Sequence, residues 1–411
     1  MKKNLILLSL NYSPEDTAIG LYSTQMAEYL SDLGWNVFVI TGFPYYPQWQ
    51  IWDAYKKKRK YHQEEINGVR VLRYKQYVPS KVPSKFSFYK RVLHIIDFTF
   101  GSYFNIIKIK ESDVVVSIIP FTSSAWLGKK LAKGHKAKHW IHIQDFEFDA
   151  AKESGLVKEN SVSKRLFKWL FAYESKILNS ADIVSTISHG MMNRLKGKST
   201  SDQFYFPNWV DIDFINPAMA KGHNHLNTEG YKVLYSGNIG EKQDWSFFLR
   251  IVEEFKSHDE LKFIVVGDGS AKIKLKKMTK HLPNVLHFEP VPYEELNDLL
   301  CSADLHILFQ KETILDTVMP SKILGMMASG VPSLVTGNLA SETAKVFKTS
   351  KGGVYLGASD FQGVVQSIAN RSTALKPSMG EHAKRYVAIN FSKENVLNKF
   401  ESRLTSLLDK G

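Results

Sequence analysis

The stretch WIHIQDFEFDAA, residues 140–151, crowds His142, Gln144, Asp145, Glu147 and Asp149 into eight positions at the end of an apolar run. Imidazole and carboxylates at that density can position a substrate or move its protons. Strand alternation would put His142 and Gln144 on one face. A histidine among aromatics also fits a packed, hydrogen-bonded interior. Other stretches offer anion binding. In YSGNIGEKQDW, residues 235–245, a strand ends at Ser236, Gly237 and Gly240 frame a turn around Asn238, Lys242 adds a charge, and a helix begins near Asp244. Free backbone amides beside a lysine suit a diphosphate, although ordinary strand-to-helix turns carry the same glycines. VVGDGSAKIK repeats the pattern with Gly267, Asp268 and Gly269. Lys272 stands there where a dinucleotide fingerprint needs a third small residue, which argues against a nicotinamide site.

DTVMPSKILGMMASGVPSL, opening on Asp316, starts a helix with Pro320, Ser321 and Lys322. Ser321 can cap that helix, and Lys322 adds a full charge to the partial one at its N-terminus. Gly20, in LNYSPEDTAIGLYS, lies just before a helix whose first amides could serve a ligand. The aspartates of VDIDF could hold Mg²⁺ beside phosphates, but their polar setting reads as a solvated turn. No His/Cys cluster has zinc spacing, and no metal or cofactor is expected.

These residues need a scaffold. NLILLSLNY, NVFVITGF, VRVLRYK, DVVVSIIPF, KHWIHIQDF and ADIVSTIS read as strands with helical stretches between most of them. A second series follows: YKVLYSGNIG, LKFIVVGDGS, NVLHFEPV, ADLHILFQ, VPSLVTG and KGGVYLG. Continuous apolar strands alternating with helices indicate parallel sheets covered on both faces. The expected fold class is α/β: two doubly wound Rossmann-like domains facing a central cleft, ligands gathering at the carboxyl ends of the strands. The boundaries read as residues 1–210, a polar linker at 211–230, a second domain at 231–390 and a C-terminal helix at 391–411.

The 411 residues include one cysteine, Cys301, so no intrachain disulfide forms, which fits a reducing compartment. No signal peptide or spanning segment is evident, and a cytoplasmic protein is expected. The formal charge of +13 is lopsided: residues 1–210 hold 30 Lys and Arg against 18 Asp and Glu, residues 211–411 hold 24 against 23. Within the first half, residues 43–104 interleave Tyr, Trp and Phe with lysines, including the block Lys56, Lys57, Lys58, Arg59 and Lys60. That mixture suits an anionic membrane interface. Single-stranded nucleic acid could use the same residue types, but no recognised nucleic-acid module accompanies them.

In this order, LYSGNIGEKQ, VVGDG, QKETILDTVMPSKILGMMASGVP, the opening YSPEDTAIGLYSTQMAEYLSDLGWNVFVITGFPYYP, IHIQDFEFDAA and PNWVDIDF resemble bacterial GT-B glycosyltransferases of family 4, in the WcaI/WbuB-like branch of colanic acid and capsular polysaccharide biosynthesis. The similarity spans essentially the whole chain. It implies metal-independent, retaining transfer of a hexosyl or deoxyhexosyl group from a nucleotide-diphosphate sugar. The acceptor would be a glycan, carried on a polyprenyl diphosphate at the inner face of the plasma membrane. By the resemblance, the second domain binds the donor: Gly237, Asn238, Gly240 and Lys242 at the diphosphate, Gly267 and Asp268 at the base, and Asp316, Pro320, Ser321 and Lys322 at the phosphates or sugar. Gly20 falls on the acceptor side, and Asp145 and His142 face the reacting carbon and acceptor hydroxyl. Two departures stand out. The family's acid–x7–acid pair lacks its second acid, which aligns with Gly325, and the usual arginine of the diphosphate loop is Asn238. Two rival readings are a non-catalytic sugar-nucleotide-binding protein and a nucleotide-sugar epimerase of the same fold.

Overall fold

In the computed structural model, residues 3–16, 18–79, 88–153, 161–313 and 321–409 are described. They divide into two compact units, Met1–Pro207 with Leu397–Gly411, and Asn208–Val396.

The first unit runs β1 (Asn4–Leu8), α1 (Ala18–Asp32), β2 (Asn36–Gly42), α2 (Asp53–Lys56), β3 (Tyr61–Ile66), β4 (Val69–Tyr74), α3 (Phe88–Ile106), β5 (Val114–Ile119), α4 (Thr122–His135), β6 (Lys138–Ile143), α5 (Glu147–Glu153), α6 (Ser161–Leu178), β7 (Ile183–Thr186), α7 (His189–Lys196) and β8 (Asp202–Tyr205). Its eight strands lie in the order β3-β4-β2-β1-β5-β6-β7-β8. All pairs are parallel except β3 with β4. Every residue of β5 is buried, as a strand covered on both faces requires. The apolar runs of the sequence are these central strands. The sequence reading missed β3, because YHQEEI has no apolar alternation and none of it is buried at the sheet edge.

β3 is tied in by a buried ion pair. The Arg73 guanidinium is fully buried and bonds Glu64, the Gly42 carbonyl at 3.1 Å and the Ser13 carbonyl, while lying 5.1 Å from the Tyr55 ring. Burial works to raise the Glu64 carboxyl, but the Arg73 hydrogen bond and charge outweigh it and hold the group below its usual range. Removing one partner of such a pair strands a buried charge, at a cost of about 3–5 kcal/mol.

The second unit runs β9 (Tyr231–Ser236), α8 (Trp245–Glu254), β10 (Leu261–Val266), α9 (Lys272–Thr279), β11 (Val285–Phe288), α10 (Leu296–Cys301), β12 (Leu305–Phe309), α11 (Ser321–Ala328), β13 (Ser333–Gly337), α12 (Glu342–Ser350), β14 (Gly353–Gly357), α13 (Phe361–Ala369), α14 (Arg371–Ala374) and α15 (Pro377–Asn390). The last helix, α16 (Lys393–Asp409), starts in this unit, and its residues from Leu397 onward group with the first. There Phe400 stacks on Phe206 at 4.5 Å and meets Trp140 edge-on at 4.9 Å. The sheet order is β11-β10-β9-β12-β13-β14, all parallel. The order reverses between β9 and β12, and a doubly wound sheet opens a ligand crevice at such a switch point. Residues 208–230 belong to this unit, with Ile215 and Leu226 in its core.

The second core also buries His306, whose Nε2 lies 3.0 Å from Ser329 Oγ. Burial pushes its pKa down to about 3. Between that value and about 6.5 the unfolded chain takes a proton that the folded chain refuses, so stability falls as pH drops through this window. At about pH 5 the loss from His306 alone is about 2 kcal/mol. His287 and His225, also lowered by burial, act in the same direction. Scanning calorimetry at neutral and mildly acid pH is therefore expected to show the second unit melting several degrees earlier in acid. An unchanged transition would contradict a neutral, interior His306.

Candidate active site

The second unit assembles its site at the ends of β9 and β10. After β9 the chain turns through Gly237 at φ 122°, and after β10 through Gly267 and Gly269 at φ 156° and 153°. The two turns are stitched together by Gly237 N–H to Val266 O at 2.9 Å, Ile239 N–H to Asp268 O at 2.7 Å and Ala271 N–H to Ile239 O at 2.9 Å. A Cβ on Gly267 would lie 2.0 Å from the Gly237 carbonyl, so glycine is required there for the turns to meet. Asn238 is exposed between them, its carbonyl accepting from the Tyr235 hydroxyl at 2.6 Å. Gly240 N–H donates to Gln243 Oε1 at 3.2 Å, and Asp244 caps α8 through Phe247 N–H.

Lys322, in the first turn of α11, reaches this loop from across the switch point. Its Nζ donates to the Tyr235 hydroxyl at 2.8 Å, sits 4.5 Å from the Tyr235 ring and would lie 3.3 Å from a Cβ on Gly237. Burial lowers its pKa to about 8. A half-buried ammonium with only neutral neighbours among these contacts is poised for an anion, because an incoming phosphate would restore the stabilisation that desolvation removed. Tyr235, the support for Lys322, is absent from the sequence-based candidates. Its one signal is an aromatic two residues before the glycine of the turn.

The other residues expected on the donor side are placed less closely. Lys242 is exposed on the turn before Gln243, and its carbonyl accepts from Lys311 N–H at 3.1 Å. Asp268 is exposed, accepts from Gly269 N–H at 2.8 Å and pairs with Lys272 at 3.5 Å. Lys272 also bonds Glu289. Gly325 packs inward, where a Cβ would come 3.2 Å from Leu300 Cδ1, so an acid in this register would press on an apolar neighbour. Asp316 and Pro320 lie outside the described residues, and of Ser321 only its place at the start of α11 is described.

In the first unit, His142 is the last residue but one of β6 and is interior. Gln144 Nε2 donates to its Nε2 at 3.0 Å, which leaves the proton on Nδ1, 2.9 Å from Ser185 Oγ. Trp140 Nε1 donates to the same Ser185 oxygen at 2.7 Å. Burial takes the pKa of His142 down to about 3. A neutral ring with both nitrogens engaged inside the protein holds Gln144 in place and is not presented to a substrate. The expectation for His142 is a role at the reacting carbon; the structure places its ring in the interior, between Ser185 and Gln144. Asp145, three residues on, is exposed. Its loop is fixed from below: Phe146 is buried 5.2 Å from Lys198 Nζ, and Lys198 bridges Asp149 at 2.8 Å and Glu174 at 2.5 Å. Beside it, Glu147 Oε2 accepts from Thr122 N–H and Oγ1 at 2.7 and 3.0 Å. Burial raises the Glu147 pKa. Phe121, just before Thr122, sits at φ 94°, a backbone state that costs a bulky residue about 1–3 kcal/mol and tends to mark functional sites.

Gly20 lies in the first turns of α1, where a Cβ would meet the Glu15 carbonyl at 2.4 Å. Glu15, absent from the sequence-based candidates, is buried and clamps this loop. It accepts from Tyr45 and Tyr46 N–H at 2.7 Å each and from Asn11 Nδ2 at 2.9 Å. Lys56 to Lys60 are all exposed around the end of α2. Among the described residues no group of three His, Cys, Asp or Glu side chains could hold a metal ion, and no helix is long and apolar enough to cross a membrane.

Comparison with known proteins converges on this scaffold. Residues 17–209 match the family model "Glycosyl transferase 4-like domain" and residues 230–371 match "Glycosyl transferases group 1". The chain is 34% identical over 409 residues to WcaI of Escherichia coli (strain K12), whose name assigns it to colanic acid biosynthesis as a glycosyl transferase. The match covers 96% of this chain and 98% of that one. Solved structures with a similar fold include sucrose-phosphate synthase from Thermosynechococcus elongatus, with a TM-score of 0.74 at 14% identity over 100% of both chains. WaaG, a glycosyltransferase involved in lipopolysaccharide biosynthesis, has a TM-score of 0.64 at 11% identity over 98% of this chain and 99% of that one. HepE of Anabaena in complex with UDP has a TM-score of 0.63 at 11% identity over 98% of this chain and 100% of that one. The chain belongs to the family 4 glycosyltransferases of GT-B fold, in the group of colanic acid biosynthesis type.

Proposed function

We propose that this protein moves a hexosyl or deoxyhexosyl group, with retention of anomeric configuration, from a nucleotide-diphosphate sugar to a lipid-linked glycan during exopolysaccharide, capsule or O-antigen assembly. The observation that carries the reading is Lys322, a desolvated ammonium against the Gly237 turn at the β9/β12 switch point. Binding of UDP and UDP-glucose by the structurally similar HepE supports a nucleotide sugar as co-substrate.

Breaking the anomeric bond leaves negative charge on the departing diphosphate. Lys322 and the N-terminus of α11 stabilise that charge as it develops, the glycine turns let the backbone come close to it, and exposed Lys242 adds to the field. Asp268 borders the base, and Ser321, Asp316 and Pro320 belong to the same donor side. Asp145 is the first-unit group that meets the acceptor or steadies the oxocarbenium carbon. His142 positions it through Gln144, and Gly20 with Glu15 shapes the acceptor loop. The leaving phosphate takes the acceptor proton on the face it departs from, which gives retention. Lys56, Lys57, Lys58, Arg59 and Lys60 bring the enzyme to the anionic inner face of the membrane, where a polyprenyl-diphosphate-linked acceptor resides.

Incubation with UDP-, GDP- and dTDP-sugars and a lipid-linked acceptor tests this. One donor is expected to give a glycosylated lipid with the donor's anomeric configuration, with turnover unaffected by a chelator. Donor turnover without acceptor, giving an epimerised sugar, would instead establish an epimerase. Nucleotide binding with neither transfer nor hydrolysis across the panel would establish a non-catalytic protein.

A further inference from the structure

α3 carries an exposed face of unusual composition. Between Val92 and Ile107 the exposed side chains are Leu93, Ile96, Phe100, Tyr103, Phe104 and Ile107, with no charged residue among them. At 3.6 residues per turn they fall within an arc about 100° wide. Phe100 is 63% and Ile107 67% exposed. An ordinary surface helix turns its charged face to water, and an apolar stripe of this length marks an interaction surface.

The surroundings say what covers it. Beside the stripe α3 is fixed to β4: Tyr74 donates to Asp97 Oδ1 at 2.9 Å, and the Tyr74 ring fills the space beside Gly101. That anchor places the basic block alongside, because Lys60 Nζ lies 5.3 Å from the Tyr74 ring. At the other end Phe104 packs 6.2 Å from Tyr61, whose ring carries Lys108 at 5.2 Å. Exposed Lys110 follows two residues later. An apolar stripe bordered by lysines opposes a second copy of itself, since two such faces would bring like charges together. It matches a bilayer interface, with acyl chains for the stripe and anionic headgroups for the rim.

We propose that α3 inserts its apolar face into the headgroup–acyl boundary of an anionic membrane, so that the chain is held by burial of apolar surface as well as by charge. The inference deepens the membrane-docking part of the proposed function and rests on it, not on the identity of the donor.

The test is co-sedimentation with vesicles of equal parts phosphatidylcholine and phosphatidylglycerol, at low and high salt. Three proteins are compared: the unmodified chain, the double variant Phe100→Ser/Ile107→Ser, and a variant with Lys56–Lys60 neutralised. Donor hydrolysis is measured in parallel, so failure to bind vesicles is separable from failure as an enzyme. The unmodified chain is expected to keep part of its binding in high salt. The double variant should lose about a hundredfold in affinity, lose the salt-resistant part and hydrolyse donor normally. Binding by the double variant equal to that of the unmodified chain would overturn insertion, even if neutralising the lysines abolished docking. Absence of binding by the unmodified chain would also overturn it, and a dimer disrupted by the double variant would then assign the face to a second copy.

Discussion

Replacing Lys322 with methionine is expected to lower kcat/KM for sugar transfer at least about a hundredfold while raising thermal stability. The two effects have one cause. The ammonium sits on Tyr235 at a cost in desolvation, and burial lowers its pKa to about 8. Both folded and unfolded chains carry the charge below that value, and there the penalty for burying it is felt in full. It is relieved as pH rises from about 8 towards the ordinary lysine value, where only the unfolded chain still holds the proton. Methionine removes a penalty of about 3 kcal/mol and forfeits about 1 kcal/mol of contact with Tyr235. The net gain near neutrality corresponds to about 5 °C in Tm. The same lysine predicts an alkaline limb in kcat/KM with a midpoint near pH 8, displaced upward in kcat because bound diphosphate holds the proton on. A methionine variant that is both inactive and less stable would mean that the lysine is structural.

The second large effect lies in the glycine turns. Gly267→Ala would place a methyl carbon 2.0 Å from the Gly237 carbonyl at φ 156°, and neither backbone can yield without opening the hydrogen bonds that join the turns. The expected cost is about 3–4 kcal/mol in stability, with donor affinity lost because the Gly237 turn is pushed out of place beside Lys322. Gly240→Ala is the control. A Cβ there meets only Asn238 Nδ2 at 3.3 Å, the end of an exposed side chain, so stability should change little. Chemical denaturation of the two variants checks the contrast, and equal losses would show that the turns are not locked together as described.

Much of this was legible in the chain itself. The central strands are apolar runs because they are buried on both faces, and the glycines at 237, 267 and 269 mark turns that no other residue could make. The opening of α11 was readable from Ser321 and Lys322. What escaped depends on partners distant in sequence. β3 is polar and acquires its place only by pairing with β4 and through Arg73. His142 looks catalytic in a string of polar residues, and only Ser185 and Gln144 around it show that it is interior. Tyr235 and Glu15 are ordinary residues until the fold brings Lys322 to one and the Tyr45–Tyr46 backbone to the other. The α3 face was hidden because residues 92–107, VLHIIDFTFGSYFNII, mix its exposed apolar residues with buried ones, and only the packed helix shows which side stays uncovered.

The central claim is that the second unit binds the donor by its diphosphate, through Lys322 held against the glycine turns. Calorimetric titration of the protein and its Lys322→Met variant with a nucleoside diphosphate and the matching monophosphate tests it most directly. The account predicts at least about tenfold tighter binding of the diphosphate by the unmodified chain, and a gap that closes in the variant. Equal affinities for the two nucleotides, or a preference for the diphosphate that survives loss of the lysine, would contradict it.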